Sequence, residues 1–423
     1  MRAAITRATS ADPDARFPSV STFADALAAI DLGAAAPTVR LAPEARGQRP
    51  FRWLTGALRV RTVAADIQRA DFRLRDLIDR GLIDAGAGHA FLASRGFSDM
   101  GFSVWASTVR LGPIDDPRLL SRVAELAILL HGWSGTREVW SLVAPALCRD
   151  NAQAVVITPD LHGFGETGFD GVPSKEKVEL SAIARSIEGL RRVLGISDIP
   201  VAMVGHSMAG ASLLTQNDEE VGPHVSRVLI NPVLVSHDRR LERRLRMMAY
   251  LTRTVGRIGP LRRWIIRTIA RTDPNLRVLT QEARDNFMRE SLRMTGGVYA
   301  RVLSAFTRSP PKVGRQRRLA ILACLDDDWI DEKALDAAAR DIGLEPAQIH
   351  RAASGGHNPH AELADHPEWT ARNIDQIVRV IDSMLITARE TTMVSTEPRE
   401  APPTSGSTSA SGETATAQTY TRA

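Results

Sequence analysis

Short apolar runs that stop abruptly on polar residues or glycine punctuate this chain. AELAILLHGWSG (124–135), AVVITPDLHGFGETG (154–168), VAMVGHSMAG (201–210), VSRVLINPV (225–233) and LAILACLDDDWID (319–331) repeat one theme. Between them, REVWSLVAPALCRD and ELSAIARSIEGLRRVLGI carry apolar residues at helical period. Runs of four to eight apolar residues alternating with helices predict an α/β fold whose mostly parallel sheet is covered on both faces. In such sheets the chemistry gathers at the carboxyl ends of the strands. His131, Asp160, Ser207 and the aspartates at 326–328 all fall at predicted strand ends.

The remaining segments read differently. Residues 1–50 predict a partly disordered N-terminal segment. Residues 51–99 predict a helical extension, in which AADIQRADFRLRDLIDRGLID (64–84) has an amphipathic pattern. Residues 237–308 predict a helical cap inserted between core segments 100–236 and 309–389. There Leu241, Leu245, Met248, Leu251 and Val255 share one helical face among arginines. From 390 to 423 the chain is rich in Ser, Thr and Pro and nearly free of large apolar side chains, so a disordered tail is expected.

One hydroxyl draws attention. In VAMVGHSMAGASLL, Ser207 stands between an apolar strand and a helix. A serine nucleophile must project from a sharp turn toward a base, and small residues let strand and helix approach closely. Gly205 and Gly210 supply two such positions, and alanine at 209 is the next smallest choice.

Taken together, HGWSG (131–135), DLHGFGET (160–167), GHSMAG (205–210), LACLDDDW (322–329) and GGHNPHAE (355–362) make residues 100–389 resemble an α/β-hydrolase. Their order, Ser, then Asp, then His, is that of the fold. Ala209, in place of a glycine, and Cys324, where the family often has glycine, depart from its pattern. The resemblance implies Ser207 as nucleophile, His357 as general base and Asp327 as the acid orienting the histidine, with Asp326 and Asp328 in solvent. It implies an oxyanion hole from the backbone N–H groups of Trp133 and Met208, and a substrate wall including Gly132, Trp133 and His206. His360 is expected at the entrance or capping a helix, and His206 and His162 as structural hydrogen-bonding residues. Separately, ATSADPDARFPSVSTFADALAAI (8–30) resembles the last segment of a Ser/Thr protein kinase domain. No glycine-rich nucleotide loop, HRD or DFG motif accompanies it, so kinase activity is not expected.

Composition narrows the function. The 423 residues are 43% apolar, enough for one large core with appendages. The net charge of +5 comes from arginines scattered among nearly as many acids, so nucleic acid is not an expected partner. The basic cap is a candidate for peripheral contact with an anionic membrane. Two cysteines without a CxxC pattern, no leading apolar run and no spanning stretch of roughly 20 apolar residues favour a cytoplasmic protein. No metal-spaced cluster or phosphate loop is present, so no metal and no cofactor are expected.

The expected function is hydrolysis of a small-molecule ester or related acyl substrate through an acyl-enzyme. A serine nucleophile argues against the dehalogenase and epoxide hydrolase branches, which attack with aspartate. Carbon–carbon bond hydrolase, perhydrolase and acyltransferase chemistry stay open, as does a non-catalytic ligand-binding module.

Overall fold

The computed structural model describes residues 53–54, 59–114, 122–234, 237–254, 258–293, 296–305, 316–352 and 354–396. Among the described residues nine strands make one sheet: β1 (Arg59–Ala64), β2 (Ile67–Arg73), β3 (Gly101–Ser107), β4 (Glu125–Leu130), β5 (Ala154–Pro159), β6 (Val201–His206), β7 (Val225–Ile230), β8 (Leu319–Cys324) and β9 (Ile349–Ala352). Their spatial order is β1-β2-β3-β5-β4-β6-β7-β8-β9. The pairs from β5 to β9 are parallel, and those joining β1, β2, β3 and β5 are antiparallel.

The helices alternate with these strands. In chain order they are α1 (Leu74–Asp79), α2 (Ala85–Arg95), α3 (Thr108–Leu111), α4 (Val143–Asp150), α5 (Leu180–Val193), α6 (Met208–Leu213) and α7 (Asp218–Val221). There follow α8 (Arg239–Thr254), α9 (Gly259–Thr272), α10 (Pro274–Arg277), α11 (Gln281–Arg293) and α12 (Gly296–Ala305), all between β7 and β8, then α13 (Glu332–Asp341) and α14 (Pro367–Thr396).

Why the central strands are apolar throughout follows from the layering. Every residue of β4, β6, β7 and β8 is buried. Leu126, Ile128 and Leu130 point into the layer holding α5 and α6, while Ala127 and Leu129 point into the layer holding α4 and α14. A strand covered on both faces has no side left for water, so its pattern is continuous rather than alternating. Truncating one of these leucines to alanine would cost about 2–5 kcal/mol.

Two expected elements differ. Residues 67–73 form a strand, not a helix: Ile67, Arg69, Ala70 and Phe72 are buried, and IQRADFR pairs along its whole length with β3. Buried Arg69 is compensated by Asp71 and Glu138. The amphipathic pattern of 64–84 therefore serves a hairpin strand plus the short α1, with register fixed by partners 28 to 40 residues away. At the other end, α14 continues to Thr396, beyond the expected start of a tail at 390. Thr391 and Thr392 donate hydroxyl bonds to the carbonyls of Thr387 and Ala388, and Thr392 also meets His224. The kinase-like stretch and the chain after 396 lie outside the described residues.

Candidate active site

The turn between β6 and α6 holds Ser207 in a left-handed conformation, φ 52° and ψ −110°. Such a conformation costs a serine about 1–3 kcal/mol and persists only where its surroundings enforce it. Here the Ser207 N–H donates to Ile230 O (2.9 Å), and Ser207 O accepts from Ala211 N–H (3.0 Å). A Cβ at position 205 would lie 2.6 Å from backbone atoms of Ala209 and Gly210, and one at 210 would lie 2.9 Å from Gly205 O. Strand and helix thus touch through Gly205 and Gly210. Ala209 gives backbone atoms to the first of these contacts and is fully buried, and its methyl is accommodated away from Gly205.

Three side chains from distant parts of the chain converge at this turn. His357 Nε2 lies 2.8 Å from Ser207 Oγ, and its Nδ1 lies 2.7 Å from Asp327 Oδ2. The Asp327 side chain is fully buried, and its other oxygen accepts the Trp329 N–H at 2.7 Å. With both carboxylate oxygens committed, the imidazole is held with Nδ1 protonated and Nε2 open to accept the serine proton. Asp328 is exposed. Asp326 is exposed as well, but it is not a bystander in solvent: its oxygens accept the N–H groups of Gly355 (3.0 Å) and Gly356 (2.9 Å). Asp326 is thus exposed as expected and in addition clamps the acid loop to the histidine loop.

His206, expected as a structural hydrogen-bonding residue, holds His357 together with Asn231 and Asn275, which the sequence did not single out. Asn231, buried with φ 43°, accepts the Cys324 N–H at 2.8 Å and donates to Gly356 O (2.8 Å) and His357 O (3.2 Å). It fastens the ends of β7 and β8 to the histidine loop. His206 Nε2–H donates to His357 O at 2.7 Å, and Asn275 Oδ1 accepts the His357 N–H at 3.1 Å. The only local signal for Asn231 was an asparagine before proline at a strand end, which also describes an ordinary turn.

On the opposite side lies the HGW loop. His131 is fully buried; its Nδ1–H donates to Gly132 O and its Nε2 accepts the Leu161 N–H, both at 2.8 Å. A Cβ on Gly132 would sit 2.7 Å from His206 Nδ1 and 3.1 Å from Ser207 Cβ, so only glycine lets this loop pass so near the serine. The next loop is knotted around Asp160, which accepts the N–H groups of Arg137 and Glu166 at 2.8 and 2.9 Å and pairs with the Arg137 guanidinium.

Residues 127–373 match the model of the alpha/beta hydrolase family. The chain belongs to that family. No curated protein matches it. Among solved structures, this α/β-hydrolase is similar to an esterase from Thermogutta terrifontis, with 17% identity over 69% of this chain and 94% of that one, TM-score 0.47. It is also similar to a bromoperoxidase from Bacillus anthracis, with 13% identity over 67% and 95%, TM-score 0.49. An epoxide hydrolase from Bacillus megaterium matches with 15% identity over 62% and 93%, TM-score 0.45.

In this α/β-hydrolase Ser207 and His357 open onto a cavity of about 490 Å³. Gly132, Trp133 and His206 line it. The helices between β7 and β8 supply much of the opposite wall through Leu245, Met248, Ile269, Asn275 and Phe287. Met208 is buried beneath the turn, and its N–H, first in α6, has no intrahelical acceptor.

Two histidines depart from expectation. His360 is 2% exposed and packs between Trp140 (4.8 Å) and His206 (4.3 Å), so it lies on the cavity's inner wall rather than at an entrance or a helix cap. His162 makes no hydrogen bond among the described residues; its ring meets Phe97 edge-on at 5.2 Å and Phe169 at 6.1 Å. Both rings serve as flat, nearly apolar packing pieces. Burial pushes His131 down to about 4 and His162 and His360 to about 3, and holds His206 well below the usual histidine range. These four rings stay neutral where an exposed histidine would protonate. The imidazole that bonds Ser207 is sandwiched differently: Trp329 stacks on His357 at 5.5 Å, and the Arg244 guanidinium lies 4.5 Å over the Trp329 ring. Among the described residues, no group of three or more His, Cys, Asp or Glu could hold a metal ion.

Proposed function

We propose that this protein is a serine hydrolase that cleaves a carboxylic ester or related acyl substrate. One observation carries the reading: the unbroken relay Ser207–His357–Asp327, with links of 2.8 and 2.7 Å, opening onto a cavity of about 490 Å³. In this mechanism Ser207 Oγ attacks the substrate carbonyl as His357 Nε2 takes its proton. Asp327 stabilises the imidazolium that forms. Negative charge grows on the carbonyl oxygen, and the donors for it are the amides of Met208, next in chain to the nucleophile, and Trp133, next to Gly132, where any Cβ would crowd Ser207 Cβ. Fixed amide donors aimed at a developing oxyanion are usually the largest single contribution to rate. His357 then returns the proton to the leaving alcohol. Water, deprotonated by the same nitrogen, attacks the acyl-enzyme and releases the acid.

The neutrality of His206 and His360 suits this role. Two imidazolium ions on the wall would oppose the positive charge that His357 acquires in the transition state. A fluorophosphonate probe tests the proposal, since it needs an activated serine. Wild-type protein is expected to take up one label, and Ser207→Ala none. A wild-type protein that stays unlabelled beside a reactive control hydrolase would overturn the reading.

A further inference from the structure

The helices that roof the cavity have a second, outward face. Residues 239–272 contain eleven arginines and a single glutamate. Arg244 and Arg246 pair with Asp273 and Glu242. Arg239, Arg240, Arg243, Arg253, Arg263 and Arg267 are exposed and pair with no carboxylate among the described residues. Among these charges stand large apolar side chains in contact with water: Met247 (59% exposed), Tyr250 (67%), Leu251 (43%), Ile258 (55%), Leu261 (36%) and Trp264 (63%). Their placement follows helical period. On α8 the inward stripe is Leu241, Leu245 and Ala249, with Tyr250 on the other side and Leu251, expected on the inward face, turned to solvent because the stripe drifts toward Ala249; on α9 it is Ile266 and Ala270, with Leu261 and Trp264 opposite.

Arginine explains only half of this surface. A nucleic acid would engage the guanidinium groups and leave isoleucine, leucine and methionine unsatisfied. A second copy of the chain would bring eleven arginines against eleven. The chain's own remaining segments offer little complement: residues 1–52 have seven arginines against five acids, and 397–423 have three acids against two arginines. An anionic bilayer satisfies both halves, with headgroup phosphates for the arginines and the acyl boundary for Trp264, Tyr250 and their aliphatic neighbours. We propose that the outer face of α8 and α9 docks the protein peripherally on an anionic lipid surface. No helix among the described residues is long and apolar enough to cross a membrane, so the contact rests on this face. Leu245, Met248 and Ile269 of the same two helices line the cavity, so docking sets the roof of the site against the bilayer.

The test is flotation of the full chain with vesicles of phosphatidylcholine alone and of phosphatidylcholine mixed with phosphatidylglycerol, at low and high salt. The variants are Trp264→Ser with Leu261→Ser, and Arg263→Gln with Arg267→Gln, each accepted only if its melting temperature matches wild type. Binding is expected to require phosphatidylglycerol, to weaken with salt and to drop about fivefold per arginine removed. It must also drop in the serine variant, whose charge is unchanged. Failure to float, or flotation indifferent to the serine pair, overturns the proposal. So does a concentration-dependent dimer that the serine pair dissolves, because a second copy would then be the occupant. None of these readouts depends on the chemistry of Ser207, and a catalytically inert protein would still be informative.

Discussion

The sheet and the helical insertion above it solve burial in opposite ways. In β4, β6, β7 and β8 every residue is buried, and even the polar ends of the strands are pinned: Asn231, Asp327 and His131 each spend their hydrogen bonds on neighbouring loops. In α8 and α9 only a narrow stripe of each helix is buried, and aromatic and aliphatic residues stand in solvent among arginines. The difference teaches which part fixes reactivity and which part fixes what reaches it. Atoms that must hold position to a few tenths of an ångström come from the closed layer. The wall that selects comes largely from the open one.

That contrast breaks most visibly with acid. His131, His162, His206 and His360 lie in or against the sheet layer, and 239–305 contains no histidine. Their folded-state values are depressed, so the unfolded chain takes up protons first as pH falls below about 6.5. Stability is complete above that value and is lost progressively toward about pH 4 and below, by up to about 1.4 kcal/mol per pH unit for each histidine. Asp160, which burial raises to about 6, runs the opposite way and offsets part of the loss. Unfolding free energies from urea titrations at pH 7 and pH 5 are expected to differ by several kcal/mol, with the lower midpoint at pH 5. Equal midpoints would mean that these rings exchange with water and that the layer is not closed.

Within the closed layer, Asp327→Asn removes the acceptor that sets the imidazole tautomer. The comparable change in trypsin-like proteases lowers kcat about 10⁴-fold, and a loss of that order on a short p-nitrophenyl ester is expected here. Ala209→Val comes next. The site is filled, so overpacking should cost about 1–3 kcal/mol, and a 1 Å shift of the serine about 10²-fold in rate. Ala209→Gly should cost no more than about 1 kcal/mol. If valine matches alanine in both activity and melting temperature, strand and helix are not closely packed at this turn.

Asp326→Ala should have a smaller effect, about tenfold in kcat, since it frees two glycine amides without touching the imidazole; this order reflects two lost charge-assisted hydrogen bonds partly replaced by water. Smallest of all, Phe287→Ala on the insertion should shift preference toward longer acyl chains by about 10-fold or less in kcat/KM, as expected for one apolar contact in a pocket. A loss through kcat on every ester alike would move Phe287 from the selecting wall to the chemistry.

The parts legible in the sequence were those with a local signature. Apolar runs ending on Ser207 or on the aspartates at 326–328 declare buried strands because both faces are covered, and the glycines around the serine declare a close approach. What escaped depends on partners remote in the chain. IQRADFR suits a helix or a strand in isolation, and pairing with β3 decides it. Asn231 bonds residues 93 and more than 120 positions away, so nothing in LINPV could announce it. Asp326 and Asp327 are indistinguishable as letters. The acid loop turns one carboxylate inward to an imidazole and the other sideways to two glycine amides.

The stack of Arg244, Trp329 and His357 has an optical consequence. An indole lying 5.5 Å from an imidazole, at 26° to its plane, loses emission when that imidazole becomes a cation. Trp329 is therefore positioned as a built-in fluorophore for the protonation state of the ring proposed to shuttle the proton. The difference spectrum between wild type and Trp329→Phe isolates it from the other six tryptophans. Followed against pH, or in stopped flow as an acyl group arrives, that single emission band turns proton movement at His357 into a light signal that needs no chromogenic substrate.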